Sequence, residues 1–207
     1  MSREIPMIFT SQSSRAIQED RKWQTRRLIV QPTFEADGCS PAGLEDPPRW
    51  WDYWSLDGQR QRIKLKWAKG DRIWVKETWC MRDGARNMIE PSLVLYRADG
   101  WDISFPPWRW SRFMPRWASR LTLEITDVRV ERLNSISEED AIAEGVTITK
   151  GQIVAAALFD ECRPDLPRIA PSQQAFSELW DSLNAKRAPW DSNQWVSAIT
   201  FRRVTCP

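Results

Sequence analysis

The 207-residue sequence contains no histidine. That absence removes Ser-His-Asp and Cys-His mechanisms and the commonest zinc ligand, leaving proton transfer to Lys, Glu, Asp, Tyr or Cys. Cysteine is scarce as well: Cys39, Cys80, Cys162 and Cys206 are widely spread and form no CxxC pair. Neither a metal site nor a disulfide framework is signalled, so reduced thiols are expected. No apolar run approaches the roughly 20 residues of a membrane span, and the start, MSREIPMIFTSQ, lacks the long apolar segment of a signal peptide. The expectation is a cytoplasmic protein that does not engage a membrane.

With 42% apolar and 28% charged residues, the composition is that of a folding, globular chain. The length suits one core with insertions. Thirty basic residues against 28 acidic ones give a net charge of +2, which demands no polyanionic partner. The distribution is uneven. Arg15, Arg21, Lys22, Arg26 and Arg27 cluster early, and Arg109, Arg112, Arg116 and Arg120 follow one another without an intervening acid. Such segregation permits a basic face for phosphate contacts, beside the ordinary reading of a solvated surface. Tryptophan is abundant, at 14 residues, and each ring can fill core or stack on a base.

Residues 5–9 predict a first strand and 11–20 a polar helix, serine-capped, with Ala16 and Ile17 inward. Residues 22–27 then lie at a helix-to-strand junction, a place where several side chains converge on one pocket. The Pro- and Gly-rich residues 31–66 read as an insertion partly ordered by Trp50, Trp51, Tyr53 and Trp54. Strands are expected at 72–77, 93–97 and 119–132, the last with Leu121, Leu123 and Ile125 on one face and a bend at Asp127. The aromatic, Pro-rich residues 101–117 are too irregular for regular structure and suggest a loop over a pocket.

Ser137 and Asp140 form a capping-box-like start for a short helix, 138–144, stopped by Gly145. Glu144 falls on its last turn, where the helix dipole disfavours an isolated carboxylate and a cation partner is expected. A second insertion is placed at 146–171. A later helix, capped by Ser172, puts Ala175, Phe176, Leu179, Trp180 and Leu183 on one face, and the chain closes on a strand at 195–204. Several strands, few helices and no βαβ rhythm predict an α+β fold built on a small mixed barrel.

The run Lys22-Trp23-Gln24-Thr25-Arg26-Arg27 resembles the KxQTRR element of phage and prophage proteins of the ASCH-domain (PUA-like) family. GDRIWVKETW (70–79), YRAD (96–99), MPRWASRLTLEITDVRVERL (114–133), ISEEDAIAEGV (136–146), FSELWDSLNAK and WVSAITFRRV extend the likeness over nearly the whole chain outside the insertions. The resemblance implies a PUA-like mixed β-barrel with flanking short helices, as one domain over 1–207. The wider family signature is GxKxxExR. Its glycine falls on Asp20, its lysine on Lys22, its acidic position on Thr25 and its arginine on Arg27. A threonine at that position resembles one branch, the small bacterial N4-acetylcytidine amidohydrolases, and this implies Lys22, Thr25 and Glu144 as a catalytic set.

The chemistry is self-consistent. A lysine whose pKa is lowered by burial and neighbouring cations can act as base toward a threonine hydroxyl. Glu144 can orient it or pass a proton to the leaving amine, and Arg27 or backbone amides can stabilise an oxyanion. Such hydrolysis needs neither metal nor organic cofactor. The alternative is plainer: Lys22 and Glu144 form a structural salt bridge while Thr25 satisfies a helix end. Arg26, Arg27, Glu77, Trp74, Trp79 and Trp117 are candidate substrate contacts, though Glu77 can instead pair with Lys76 or Arg72, and the tryptophans can be core. Three functions are expected in competition: a nucleoside amidohydrolase, a non-catalytic module for RNA or a modified base, and a phage accessory protein binding a host protein or signalling nucleotide.

Overall fold

The computed structural model describes residues 3–42, 48–82, 89–101, 107–154 and 170–204. Its centre is a five-stranded sheet of β1 (Glu4–Ile8), β2 (Gln24–Leu28), β6 (Arg72–Lys76), β9 (Thr122–Arg132) and β10 (Trp195–Val204), ordered β1-β6-β9-β10-β2. Only β1 and β6 run parallel; the remaining pairs are antiparallel. Alternation decides which side of each strand is buried. Ile5 and Met7 of β1, Ile73 and Val75 of β6, Leu123 and Ile125 of β9, and Ile199 and Phe201 of β10 share one apolar cluster, into which Ile17 packs from α1 (Ser11–Gln18). The face that period-2 patterning gives for Leu121, Leu123 and Ile125 is the inner one. Register slips by one residue where Thr200 and Phe201 face Asp127 and Ile125, so Thr126 bulges out. The bend expected at Asp127 lies one residue earlier, where a bulge sharpens the local twist.

A second cluster belongs to the antiparallel meander β3 (Gly38–Pro41), β4 (Trp50–Trp54) and β5 (Arg60–Lys64). Trp51, Tyr53 and Ile63 pack there against Val130 and Trp195, so the region expected as an insertion is a small sheet docked on the end of β9 and β10. A two-stranded ribbon, β7 (Trp79–Met81) with β8 (Val94–Tyr96), carries a third cluster. The described part of 101–117 makes two short 3-10 turns, Ser111–Phe113 and Arg116–Ala118. Much of the second expected insertion, residues 155–169, lies outside the described residues, as do Cys162 and Cys206. Cys39 and Cys80 are free thiols, and burial pushes both above the usual range, Cys39 to about 11.

Two helix starts differ from expectation. Thr10, not a serine, caps α1 by accepting from the Ser13 amide. The long helix α3 (Pro171–Asn184) begins before Ser172, because Pro171 supplies the fixed φ and missing N–H that suit a first helical position. Ser172 is buried, and the Gln173 side-chain Oε1 accepts from the Ala170 amide at the start. The short helix α2 (Glu138–Ala143) matches its signature, with the Ser137 hydroxyl accepting from the Asp140 amide. Helices α2 and α3 pack over Val196 on the outer side of β10. The fold is thus mixed α+β, and among the described residues the large sheet ends at β1 and β2 without a pairing that closes it. No helix among the described residues is long and apolar enough to cross a membrane.

Candidate functional site

The KWQTRR run is built so that consecutive side chains serve different structures. In β2, Thr25 pairs with Ile199 and Arg27 with Ser197 of β10, while alternation sends Gln24 and Arg26 to the opposite face. Arg26 is completely enclosed. Its guanidinium donates to Glu131 (2.6 and 3.0 Å), Asp140 (2.9 Å), Gln24 Oε1 (2.7 Å) and, at 3.4 Å, Glu144, with its plane over the Phe176 ring. Burial acts to raise Asp140, but hydrogen bonds from Gln24 and Arg129 and the charges of Arg26 and Arg129 hold it below its ordinary value.

Lys22 lies just before β2. Its Nζ donates to both the Glu144 carboxylate (2.6 Å) and the Glu144 carbonyl (2.7 Å), and both side chains are buried. The lysine therefore caps the C-terminus of α2 by charge and by hydrogen bond, which is the partner that the helix-end argument demands. Two of its three N–H donors are used. Burial pushes the Lys22 ammonium below the usual lysine range; Glu144 opposes this, while Arg27 and Arg26 add to it.

Two backbone features hold this contact. Gly145 has φ +77°, and a Cβ there would lie 2.9 Å from Lys22 Cβ and 3.2 Å from Ala16 Cβ. Replacing Gly145 with Ala is expected to cost about 1–2 kcal/mol from the left-handed backbone alone, with more from the clash, measured as a lowered urea midpoint at unchanged slope. Asp20, where the ASCH signature has glycine, has φ +53°. The turn keeps the left-handed conformation for which glycine is the default, using a residue type that tolerates it. Asp20→Gly should leave stability unchanged or raise it, whereas Asp20→Val should lower it by about 1–2 kcal/mol in thermal unfolding.

A cavity of about 410 Å³ opens at the seam between the sheet edges. Its polar wall is Lys22, Thr25, Arg26, Arg27 and Glu144; its apolar wall includes Phe9, Trp67, Phe176 and Trp180. The volume lies in the range of small-molecule sites, as does the pairing of aromatic walls with a few convergent polar groups. Leu179 and Leu183, expected inward on α3, line this cavity, and Leu183 is 57% exposed. Arg27 spans the seam: its Nη2 donates to Ile8 O of β1 at 2.7 Å and its guanidinium lies 5.0 Å from the Phe9 ring centroid. Its Nε is buried without a hydrogen-bond partner, and no carboxylate among the described residues forms an ion pair with it. A guanidinium without a carboxylate partner among the described residues, at a cavity wall, suits an electron-rich or anionic ligand.

The structure thus brings Lys22, Thr25, Arg26, Arg27 and Glu144 to one cavity, and leaves the other four candidates elsewhere. Glu77 is buried but receives Arg120 in a two-pronged contact at 3.0 and 3.1 Å rather than Lys76 or Arg72; burial raises its carboxyl, against the pull of Arg120. Trp79 and Trp117 meet edge to face, 6.0 Å between centroids, inside the ribbon cluster. Trp74 lies on the outer face of β6 beneath Lys76 and Arg116. None of residues 107–117 lines the cavity. Trp67, Phe176 and Trp180 are walls that sequence reasoning did not assign to the site; the apolar stripe holding Phe176, Leu179, Trp180 and Leu183 is the signal that could have found two of them. Among the described residues no group of three or more Cys, Asp or Glu side chains is arranged to hold a metal ion.

No protein-family model, no curated protein and no solved structure matches the chain.

Proposed function

We propose that the seam cavity holds a nucleobase or nucleoside, and that the protein is an ASCH-type amidohydrolase whose sheet is a PUA-like barrel with its edges bridged at Arg27. The observation that carries this reading is the half-buried Arg27, without a carboxylate partner among the described residues, on the same wall as the buried Lys22–Glu144 pair and Thr25. The left-handed Asp20 supports the alignment to the family signature on physical grounds, since the glycine position keeps a glycine conformation.

In the proposed reaction a neutral Lys22 accepts the Thr25 hydroxyl proton as the Thr25 oxygen bonds to the acyl carbon of an N4-acylated cytidine. Arg27 donates to the resulting oxyanion. The carbon–nitrogen bond then breaks, the proton passes from Lys22 to the leaving amine with Glu144 orienting the lysine, and water releases the acyl group from Thr25. Phe9, Trp67, Phe176 and Trp180 provide apolar and aromatic surface for the base.

One observation favours a second reading. The Lys22–Glu144 contact is closed at 2.6 Å, as in a structural pair, which suits a pocket that holds a modified nucleotide without hydrolysing it. Incubation of the purified protein with N4-acetylcytidine separates the two. Hydrolysis predicts release of cytidine and acetate that disappears in Thr25→Ala; saturable binding without release from any of several acylated nucleosides leaves the binding module.

A further inference from the structure

A second surface lies beside the cavity mouth, on the segment after the ribbon. Trp110 and Phe113 are 74% and 71% exposed, unusual for large aromatic rings in well-formed 3-10 turns. Beside them stand Arg112 and Lys76, neither of which forms an ion pair among the described residues, whereas the Arg109 guanidinium lies over the buried Trp79 ring. Contacts tie these groups together. Lys76 Nζ donates to Arg112 O, Arg112 lies over Phe113 at 5.9 Å, and Lys76 and Arg116 lie over Trp74 at 5.3 and 5.9 Å. Among the described residues, the nearby carboxylates Glu4 and Glu77 are paired with Arg116 and Arg120. The strip is therefore cationic with open aromatic faces.

The strip also has a direction. Lys76 pairs with Ile8 in the parallel β1–β6 contact, and the Phe9 amide donates to Lys76 O at 3.0 Å. Ile8 and Phe9 are in turn part of the cavity wall, where Arg27 donates to Ile8 O. Positive charge and aromatic surface thus run from Trp110 to the cavity lip.

We propose that this strip binds single-stranded nucleic acid, with bases stacked on Trp110 and Phe113 and phosphates on Lys76 and Arg112. Cationic tracks interleaved with open aromatic faces recognise unpaired strands because every base has a stacking face and every nucleotide a phosphate. A duplex, whose bases are already stacked, offers only the phosphates. The placement next to the cavity lets a nucleotide of the bound strand reach Arg27, but binding along the strip does not depend on chemistry in the cavity.

The test is fluorescence anisotropy with labelled 12-nucleotide oligouridine and oligothymidine, each with its duplex, at several salt concentrations. We expect the single strands to bind better than the duplexes with a steep loss on adding salt, Trp110→Ala and Phe113→Ala each to weaken binding fivefold or more, and Arg112→Glu to weaken it at least tenfold and flatten the salt dependence. Thr25→Ala should bind the strand as the parent does, and Trp110→Ala should turn over free N4-acetylcytidine as the parent does. If the cavity proves inert while oligonucleotide binding persists, the strip stands and the hydrolase reading falls. Equal affinity for single and double strands, no effect of the Trp110 and Phe113 substitutions, or capture of anionic-lipid vesicles without oligonucleotide binding would each overturn the proposal. The RNA and DNA arms decide which sugar is preferred.

Discussion

Replacing Arg26 with Ala is expected to destabilise the protein by on the order of 3–5 kcal/mol, the largest stability effect of any single substitution at the site. The guanidinium is fully enclosed and, among the described residues, is the one cation shared by Glu131, Asp140 and Glu144. Its removal leaves carboxylates facing an apolar gap against Phe176, with Arg129 reaching only Asp140 closely. Arg26→Lys should recover only part of the loss, because a point charge cannot replace a planar fork that reaches three acids. Urea unfolding measures both variants. The acid limb supplies a separate readout. A carboxyl held below its ordinary value contributes stability that is complete above about pH 4 and is lost as pH falls through the lower folded value. Since Arg26 helps hold Asp140 down, the Arg26→Ala variant should lose less stability than the parent as pH falls from about 4 through the lower folded value.

In the proposed reaction, where Lys22 is the general base, hydrolysis should fall by on the order of 10²–10⁴-fold in Lys22→Met. The effect on folding should be smaller than that of Arg26→Ala, because Glu144 keeps Arg26 within 3.4 Å and the methionine chain fills the space of the lysine stem. Pairing Lys22→Met with Glu144→Gln should return stability lost in the single variant, whereas activity stays absent; a double-mutant cycle separates the pair's structural share from its chemical one. The pH profile carries the sign. Hydrolysis needs neutral Lys22, so the rate should rise with pH and level off below the ordinary lysine value of about 10.4. Stability should also rise with pH between the folded and the ordinary lysine values, since the unfolded chain binds the proton more tightly there, and Lys22→Met should remove that rise.

Local signals were legible in the sequence and long-range ones were not. Alternation put Leu121, Leu123 and Ile125 on one face, and all three are core, because a strand's period is set by its own backbone. The Lys22–Glu144 contact, across more than a hundred residues, was reachable because a carboxylate at a helix C-terminus carries its own electrostatic demand. Alternation within QTRR also separates Thr25 and Arg27 from Arg26, a division that the grouping of the two arginines as substrate contacts overlooked. The parallel β1–β6 pairing, the Arg120 partner of Glu77 and the cavity walls Trp67 and Trp180 depend on which distant segments meet. Composition alone gives each of the 14 tryptophans the same claim on core or ligand, and only packing divides them.

The central claim is that the cavity beside Arg27 is a nucleoside pocket, and calorimetric titration of N4-acetylcytidine into Thr25→Ala tests it with the chemistry disabled. Saturable one-to-one binding is expected, weakened at least tenfold when Arg27→Gln is added. Absence of binding, or binding indifferent to Arg27, would contradict the account.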